Sequence, residues 1–158
     1  MTKGTDASGS IMSLLDYNNM DIAVPGWAFY GLFRYCTTLR NTPELPATSI
    51  GYRCYNSMFR DSGIIRMPAL PATTLYDSCY DSMFRNCPNL AEVSELPATT
   101  LKKSCYYGMF RECTSLTTAP DLPATTLADI CYSWMFNGCT SLTTAPELPA
   151  TTLANYCY

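Results

Sequence analysis

The phrase Leu-Pro-Ala-Thr starts at Leu45, Leu70, Leu96, Leu122 and Leu148, a step of 25 residues once and 26 thereafter. Aligned to itself, the chain follows C-Y-x-x-M-F-x-x-C-x-x-L-x-x-a-P-x-L-P-A-T-T-L, where "a" is apolar, with three variable residues before the next Cys. No other feature constrains the fold as strongly. One copy is too short to bury its own apolar side, so copies must stack and each becomes part of the core of the next. Apolar residues make up 47% of the chain, enough for a continuous interior.

Within a copy, Cys131, Met135 and Cys139 stand at i, i+4 and i+8, with Tyr132 and Phe136 beside them. This spacing predicts a short helix with a broad apolar face. Asp77, Asp129 and Asn155 lie two residues before a Cys, where an N-cap would stabilise the first turn. The stretch Leu116–Ala119 is short and β-branched, as a strand should be. A proline follows it in most copies (Pro43, Pro68, Pro120, Pro146; Ser94 is the exception) and, having no N–H for a ladder, ends it. The Leu-Pro-Ala-Thr-Thr segment then turns the chain towards the next helix. The expected fold is an α/β repeat of the leucine-rich-repeat class, whose period is about 20–29 residues. It is a right-handed solenoid with one short parallel strand and one short helix per repeat. Residues 27–158 supply about five repeats and are truncated in a sixth, which opens at Cys157. Residues 8–25 read as an N-terminal cap and residues 1–7 as a flexible leading segment. In the first helix-like unit, Trp27–Cys36, Ala28 replaces the Cys, Phe29 the Tyr and Leu32 the Met.

The net charge is −3, with three lysines and no basic block, so nucleic acid is not an expected partner. No apolar run approaches the roughly 20 residues of a membrane helix, and the first 25 residues hold no signal-peptide h-region. Nine cysteines form two columns: Cys54, Cys79, Cys105, Cys131, Cys157, and Cys36, Cys87, Cys113, Cys139. There is no C-x-x-C and no histidine, so no metal is expected. Two cysteines of one helix would lie about 12 Å apart, beyond disulfide reach. Cysteines of adjacent copies lie within reach at roughly 5 Å, but Ser62 and Ala28 interrupt the columns. Buried thiols are the plainer reading.

The column Phe29, Tyr55, Tyr80, Tyr106, Tyr132, Tyr158 reads as stacked aromatic core, since Phe29 dispenses with the hydroxyl. Glu44, Glu95, Asp121 and Glu147, interrupted by Ala69, read as a solvated face rather than a calcium ladder. Arg34, Arg60, Arg85 and Arg111 face either an anionic glycan or their neighbours Asp61 and Glu112; pairing is the simpler reading. Without histidine a nucleophile would need a Lys or carboxylate base, and repeated residues do not bring unlike groups to one point. No catalytic residue and no cofactor is expected, and the chain is read as not an enzyme.

The segments "MFRECTSLTTAPDLP" and "MFNGCTSLTTAPELP" resemble the BspA-like leucine-rich-repeat proteins, bacterial surface proteins with an aromatic-x-x-Cys-x-x-Leu-x-x-apolar core. The longer L-P-A-T-T-L-x-x-x-C-Y-x-x-M-F variant is similar to a form found in surface proteins of gut Bacteroidetes and in some of their phages. The resemblance covers about residues 27–158. It implies a place at the cell surface or outside the cell, as part of a longer protein.

The function these readings lead to is a non-enzymatic protein- or glycan-binding or adhesion module of a bacterial surface protein. Its partners would be host or bacterial surface proteins or glycans, with no nucleic acid and no membrane insertion. The contact residues are the outward, variable positions of the expected strand face: Arg40, Asn41, Ile65, Arg66, Glu92, Thr118 and Thr144. The alternative is a structural spacer or assembly module, such as a cell-surface stalk or a phage virion component, with no specific ligand. The end at Leu153–Tyr158, with no polar cap after it, offers a surface for end-to-end self-association.

Overall fold

The computed structural model describes residues 5–15 and 23–158. Backbone N–H groups between Gly51 and Gly63 alternate between two destinations. Those of Tyr55, Ser57, Phe59 and Asp61 donate to the carbonyls of Cys79, Asp81, Met83 and Arg85 in the next copy, at 2.9 to 3.0 Å. Those of Cys54, Asn56, Met58, Arg60 and Ser62 donate three residues back within the same copy, at 3.2 to 3.4 Å. The segment is a ribbon of overlapping turns, tied to its neighbour by every second amide. Later copies repeat the arrangement: Tyr80, Ser82, Phe84 and Asn86 donate to Cys105, Tyr107, Met109 and Arg111.

This ribbon replaces the expected helix. Among the described residues there is no α-helix; the regular elements are β1 (Thr5–Asp6), a single 3₁₀ turn (Ile11–Leu14) and β2 (Leu39–Asn41). The expected leucine-rich-repeat solenoid, with a helix and a strand in each repeat, is therefore overturned, and an adhesion role drawn from that class loses its footing. The physical reason is a left-handed residue at every fourth position. Arg53, Ser57 and Asp61 have φ of 54°, 55° and 59°, and Ser78, Ser82 and Asn86 follow at 55°, 55° and 54°. A left-handed residue breaks an α-helix, and single ones are tolerated best as Gly, Asn or Asp. Over two turns a four-residue period and a 3.6-residue period point the same i, i+4 and i+8 side chains inward.

The expected N-caps are reassigned by the same geometry. Asp77 Oδ1 accepts from the Lys103 amide at 3.2 Å, and Asp129 Oδ1 from the Asn155 amide at 3.0 Å. Each carboxylate caps the following copy rather than its own turn. The expected strand at Leu116–Ala119 does not form; β2 alone occupies the equivalent place, in the first copy. β2 pairs in parallel with β1, with Thr5 opposite Leu39 and Asp6 opposite Asn41. The other parallel contacts among the described residues are isolated bridges, Ser10 to Glu44, Val24 to Ile50, Ser49 to Thr74, Arg66 to Glu92 and Thr100 to Thr126. Two of these, Ser49 to Thr74 and Thr100 to Thr126, lie in the segment read from sequence as a turn.

The interior consists of columns. Tyr55, Tyr80, Tyr106 and Tyr132 stack with centroid separations of 5.8, 5.6 and 5.7 Å. Phe33, Phe59, Phe84, Phe110 and Phe136 form a second column at 5.4, 5.7, 5.7 and 5.9 Å, with planes within 8° of parallel. Parallel rings at these separations are consistent with offset stacking, and each ring buries a large apolar area. All nine cysteines are thiols, eight buried and Cys36 half-buried. Cys87, Cys113 and Cys139 donate to the carbonyl oxygens of Phe59, Phe84 and Phe110, at 3.0, 3.1 and 3.0 Å. Each thiol thus adds a weak donor to a carbonyl of the copy before it.

Residues 5–15 lie against the first copy. Met12 is fully buried, and the Ile11 amide donates to the Glu44 carbonyl at 3.0 Å. Of the expected cap, residues 16–22 fall outside the described residues, as do residues 1–4 of the expected leading segment.

Candidate ligand-binding surface

The charged side chains chosen from sequence as contacts are occupied within the molecule. Arg40 Nη1 donates to the Gly63 carbonyl at 2.6 Å and to the Thr37 carbonyl at 3.3 Å, so one guanidinium nitrogen braces two backbone segments. Asn41 Nδ2 donates to Asp6 Oδ1 at 2.8 Å. Arg66 and Glu92 hold one another through two contacts, Nε to Oε2 at 2.9 Å and Nη2 to Oε1 at 3.3 Å. A bidentate fork already closed on a carboxylate presents little to an external anion. Ile65, Thr118 and Thr144 are exposed. The structure brings Arg66, Glu92 and Ile65 together and leaves Arg40 and Asn41 committed elsewhere.

The arginine column takes the simpler of its two readings. Asp61 lies between Arg34 and Arg60, at 3.8 and 3.2 Å, and Glu112 lies between Arg85 and Arg111, at 3.8 and 3.3 Å. Where the next acid of that series would stand, Asn86 donates instead to Asp61 Oδ1 at 2.8 Å.

A different group of side chains converges on open surface. Trp27, Tyr30 and Tyr52 are exposed at 53%, 45% and 42%. The Trp27 ring centroid is 5.5 Å from that of Tyr30 and 5.7 Å from that of Tyr52, the latter edge-on at 79°. The guanidinium carbon of Arg53 sits 5.0 Å from the Trp27 ring and 5.3 Å from the Tyr52 ring, within cation–π range of both. Backbone geometry fixes the arrangement. Trp27 takes a left-handed conformation, φ 65°, and its amide donates to the Tyr52 carbonyl at 2.8 Å.

Polar groups continue from this cluster into the following copies. Ser57 Oγ donates to Asn56 Oδ1, and Ser82 Oγ to Asp81 Oδ1, both at 2.8 Å. Burial raises the Asp81 carboxyl above its ordinary value, while bonds from Ser82 and Asn56 and the charges of Arg53 and Arg60 act the other way. Ser82 is only 6% exposed, which shuts its hydroxyl away from a substrate-sized molecule. Among the described residues no group of three or more Cys, Asp or Glu is placed to hold a metal ion. No helix among them is long and apolar enough to cross a membrane.

Trp27, Tyr30, Tyr52 and Arg53 were not among the sequence-derived contacts. The signal for Trp27 was present as a departure from the pattern, since it stands where later copies have Arg53, Ser78, Ser104 and Ile130; Tyr30 carries little signal, its position being Asn56, Asp81, Tyr107 and Ser133 in later copies. At the other end of the stack an apolar hollow of about 320 Å³ is lined by Leu122, Tyr132, Trp134, Met135, Phe136 and Tyr158, among others. Compared with protein-family models, curated proteins and solved structures, the chain matches none, and the BspA-like resemblance gains no support from them.

Proposed function

We propose that this chain is a non-enzymatic binding module whose ligand is a glycan, received by the Trp27–Tyr30–Tyr52–Arg53 cluster. The observation that carries the reading is the exposed Trp27 ring with two further exposed aromatic rings and a guanidinium packed around it at 5.0 to 5.7 Å. Exposed ring faces pack against the C–H faces of a pyranose, and the phenol and guanidinium edges supply donors for hydroxyls. The rings are braced by the backbone and by each other, so little rotamer freedom remains to be lost on binding.

A glycan array on the full chain, followed by calorimetry on any hit, tests this. Trp27→Ala and Tyr52→Ala should each weaken binding about tenfold or more, as truncated aromatic anchors at a contact centre do, with thermal unfolding little changed. Binding indifferent to both substitutions would place the ligand elsewhere. A second reading, a structural spacer with no ligand, draws on the charged groups that pair internally, Arg66 with Glu92 and Arg60 with Asp61. An array with no hit would favour it.

A further inference from the structure

On the Leu-Pro-Ala side of the stack three hollows of about 330, 480 and 470 Å³ share their walls. The first and second meet at Ala69 and Pro71, and the second and third at Val93, Ser94 and Glu95. Together they form one open trough that crosses four successive copies. Pro43, Pro68 and Pro120 are buried in its floor, and Ser94, which takes the proline's place in the third copy, donates to the Pro68 carbonyl at 2.9 Å. Pro46 and Pro71 are exposed along it, with Pro97 half-buried. Proline carries no N–H, so this floor cannot take up a partner as an added strand. It offers apolar packing.

Charge decides what packs there. Glu44, Glu95 and Asp121 line the trough and are exposed. No ion pair engages any of the three among the described residues; the nearby Arg66 is closed on Glu92. We infer that the trough is a docking groove for an extended, basic polypeptide segment, its apolar side chains against the prolines and its cations on Glu44, Glu95 and Asp121. Three steps of the roughly 4.8 Å spacing between paired chains make about 15 Å, the length of four to five extended residues. The inference shares no residue with the aromatic cluster and does not rest on the glycan reading.

A labelled short peptide alternating Lys and Val, with a Glu–Val counterpart and a Lys-only control, tests it by fluorescence anisotropy on the full chain. The Lys–Val peptide should bind, more tightly than either control. Its affinity should fall steeply at roughly molar salt, where the Debye length is about 3 Å. The triple variant Glu44→Gln, Glu95→Gln, Asp121→Asn should lose about tenfold, since each exposed pair contributes modestly. Ala69→Glu, which completes the carboxylate row, should tighten binding severalfold. Trp27→Ala should leave it unchanged, which separates this groove from the proposed glycan surface. Equal binding of the Lys–Val and Glu–Val peptides, full affinity in the triple variant, or tighter binding of a chitosan oligomer than of the peptide would each overturn the inference.

Discussion

The Cys113 thiol donates to the carbonyl oxygen of Phe84, 3.1 Å away in the preceding copy, and both residues are fully buried. The same contact recurs between Cys139 and Phe110 and between Cys87 and Phe59. In these copies the cysteine fills core volume and adds a weak donor to a buried carbonyl; the Phe59 and Phe110 carbonyls also accept from the Ser62 and Cys113 amides, whereas for Phe84 the thiol supplies the donor that the turn does not.

Cys113→Ala should therefore cost about 1–3 kcal/mol, the range for leaving a buried acceptor unpaired. Cys113→Ser should cost less, since a hydroxyl retains the donor and Ser62 already occupies this column at 2% exposure. Chemical denaturation of the two variants checks the order. An equal loss in both would show that volume alone matters.

Burial pushes the Cys54 thiol from its ordinary 9.0 up to about 12, and Cys87 up to about 11. A folded-state value above the unfolded one contributes stability that is whole below pH 9 and is lost as pH rises towards 11 and 12. Each such thiol should steepen alkaline unfolding by about 1.4 kcal/mol per pH unit in that window. Under native conditions near neutral pH a thiol reagent should label the half-buried Cys36 first and the buried eight only on unfolding. Rapid labelling of most of the nine would contradict the burial.

Gly63 sits where an added Cβ would run into the Thr37 carbonyl and Arg40 Nη1. Gly63→Ala should destabilise the chain by about 3 kcal/mol or more, because backbone cannot yield as a side chain does. Arg40→Ala should cost about 1.5–3 kcal/mol through loss of a charged donor to a carbonyl. Arg66→Ala should cost less than about 1, as an exposed pair does. Thermal or denaturant unfolding of the three separates the bracing arginine from the surface one. Treating Arg40 and Arg66 as equivalent outward residues, as sequence position suggests, fails at this point.

Asp81 provides a pH test of opposite character to the usual carboxylate. Its carboxyl is raised by burial, so the neutral form stabilises the fold at acid pH and that contribution is lost as pH rises through the folded value. Asp81→Asn should raise the unfolding temperature at pH 7, with the gain shrinking as pH falls below the ordinary 3.8. Asn56 occupies the same column one copy earlier, so the side chain fits. A loss of stability at pH 7 would show that the Arg53 and Arg60 charges outweigh the burial.

Sequence alone established the repeat, its register and its inward residues. The Leu-Pro-Ala-Thr phrase and the Cys, Met and Phe columns report which side chains share an interior, and apolar period is read directly from residue type. It also indicated that Arg60 and Arg111 have acids close by, because Asp61 and Glu112 are their chain neighbours. Only the tertiary structure decided how the backbone runs between those points. Whether Tyr55 sends its amide four residues back or across to Cys79 depends on a neighbouring copy being there to receive it, and on left-handed turns at Arg53 and Ser57. Gly31, Asn86, Gly108 and Gly138 in what reads as a helix were the local trace of those turns, but Arg53 and Glu112 adopt the same conformation without announcing it. The Trp27–Tyr52 cluster and the proline trough were hidden for a related reason. Each is assembled from residues about 25 apart in the chain, and only stacking places them side by side.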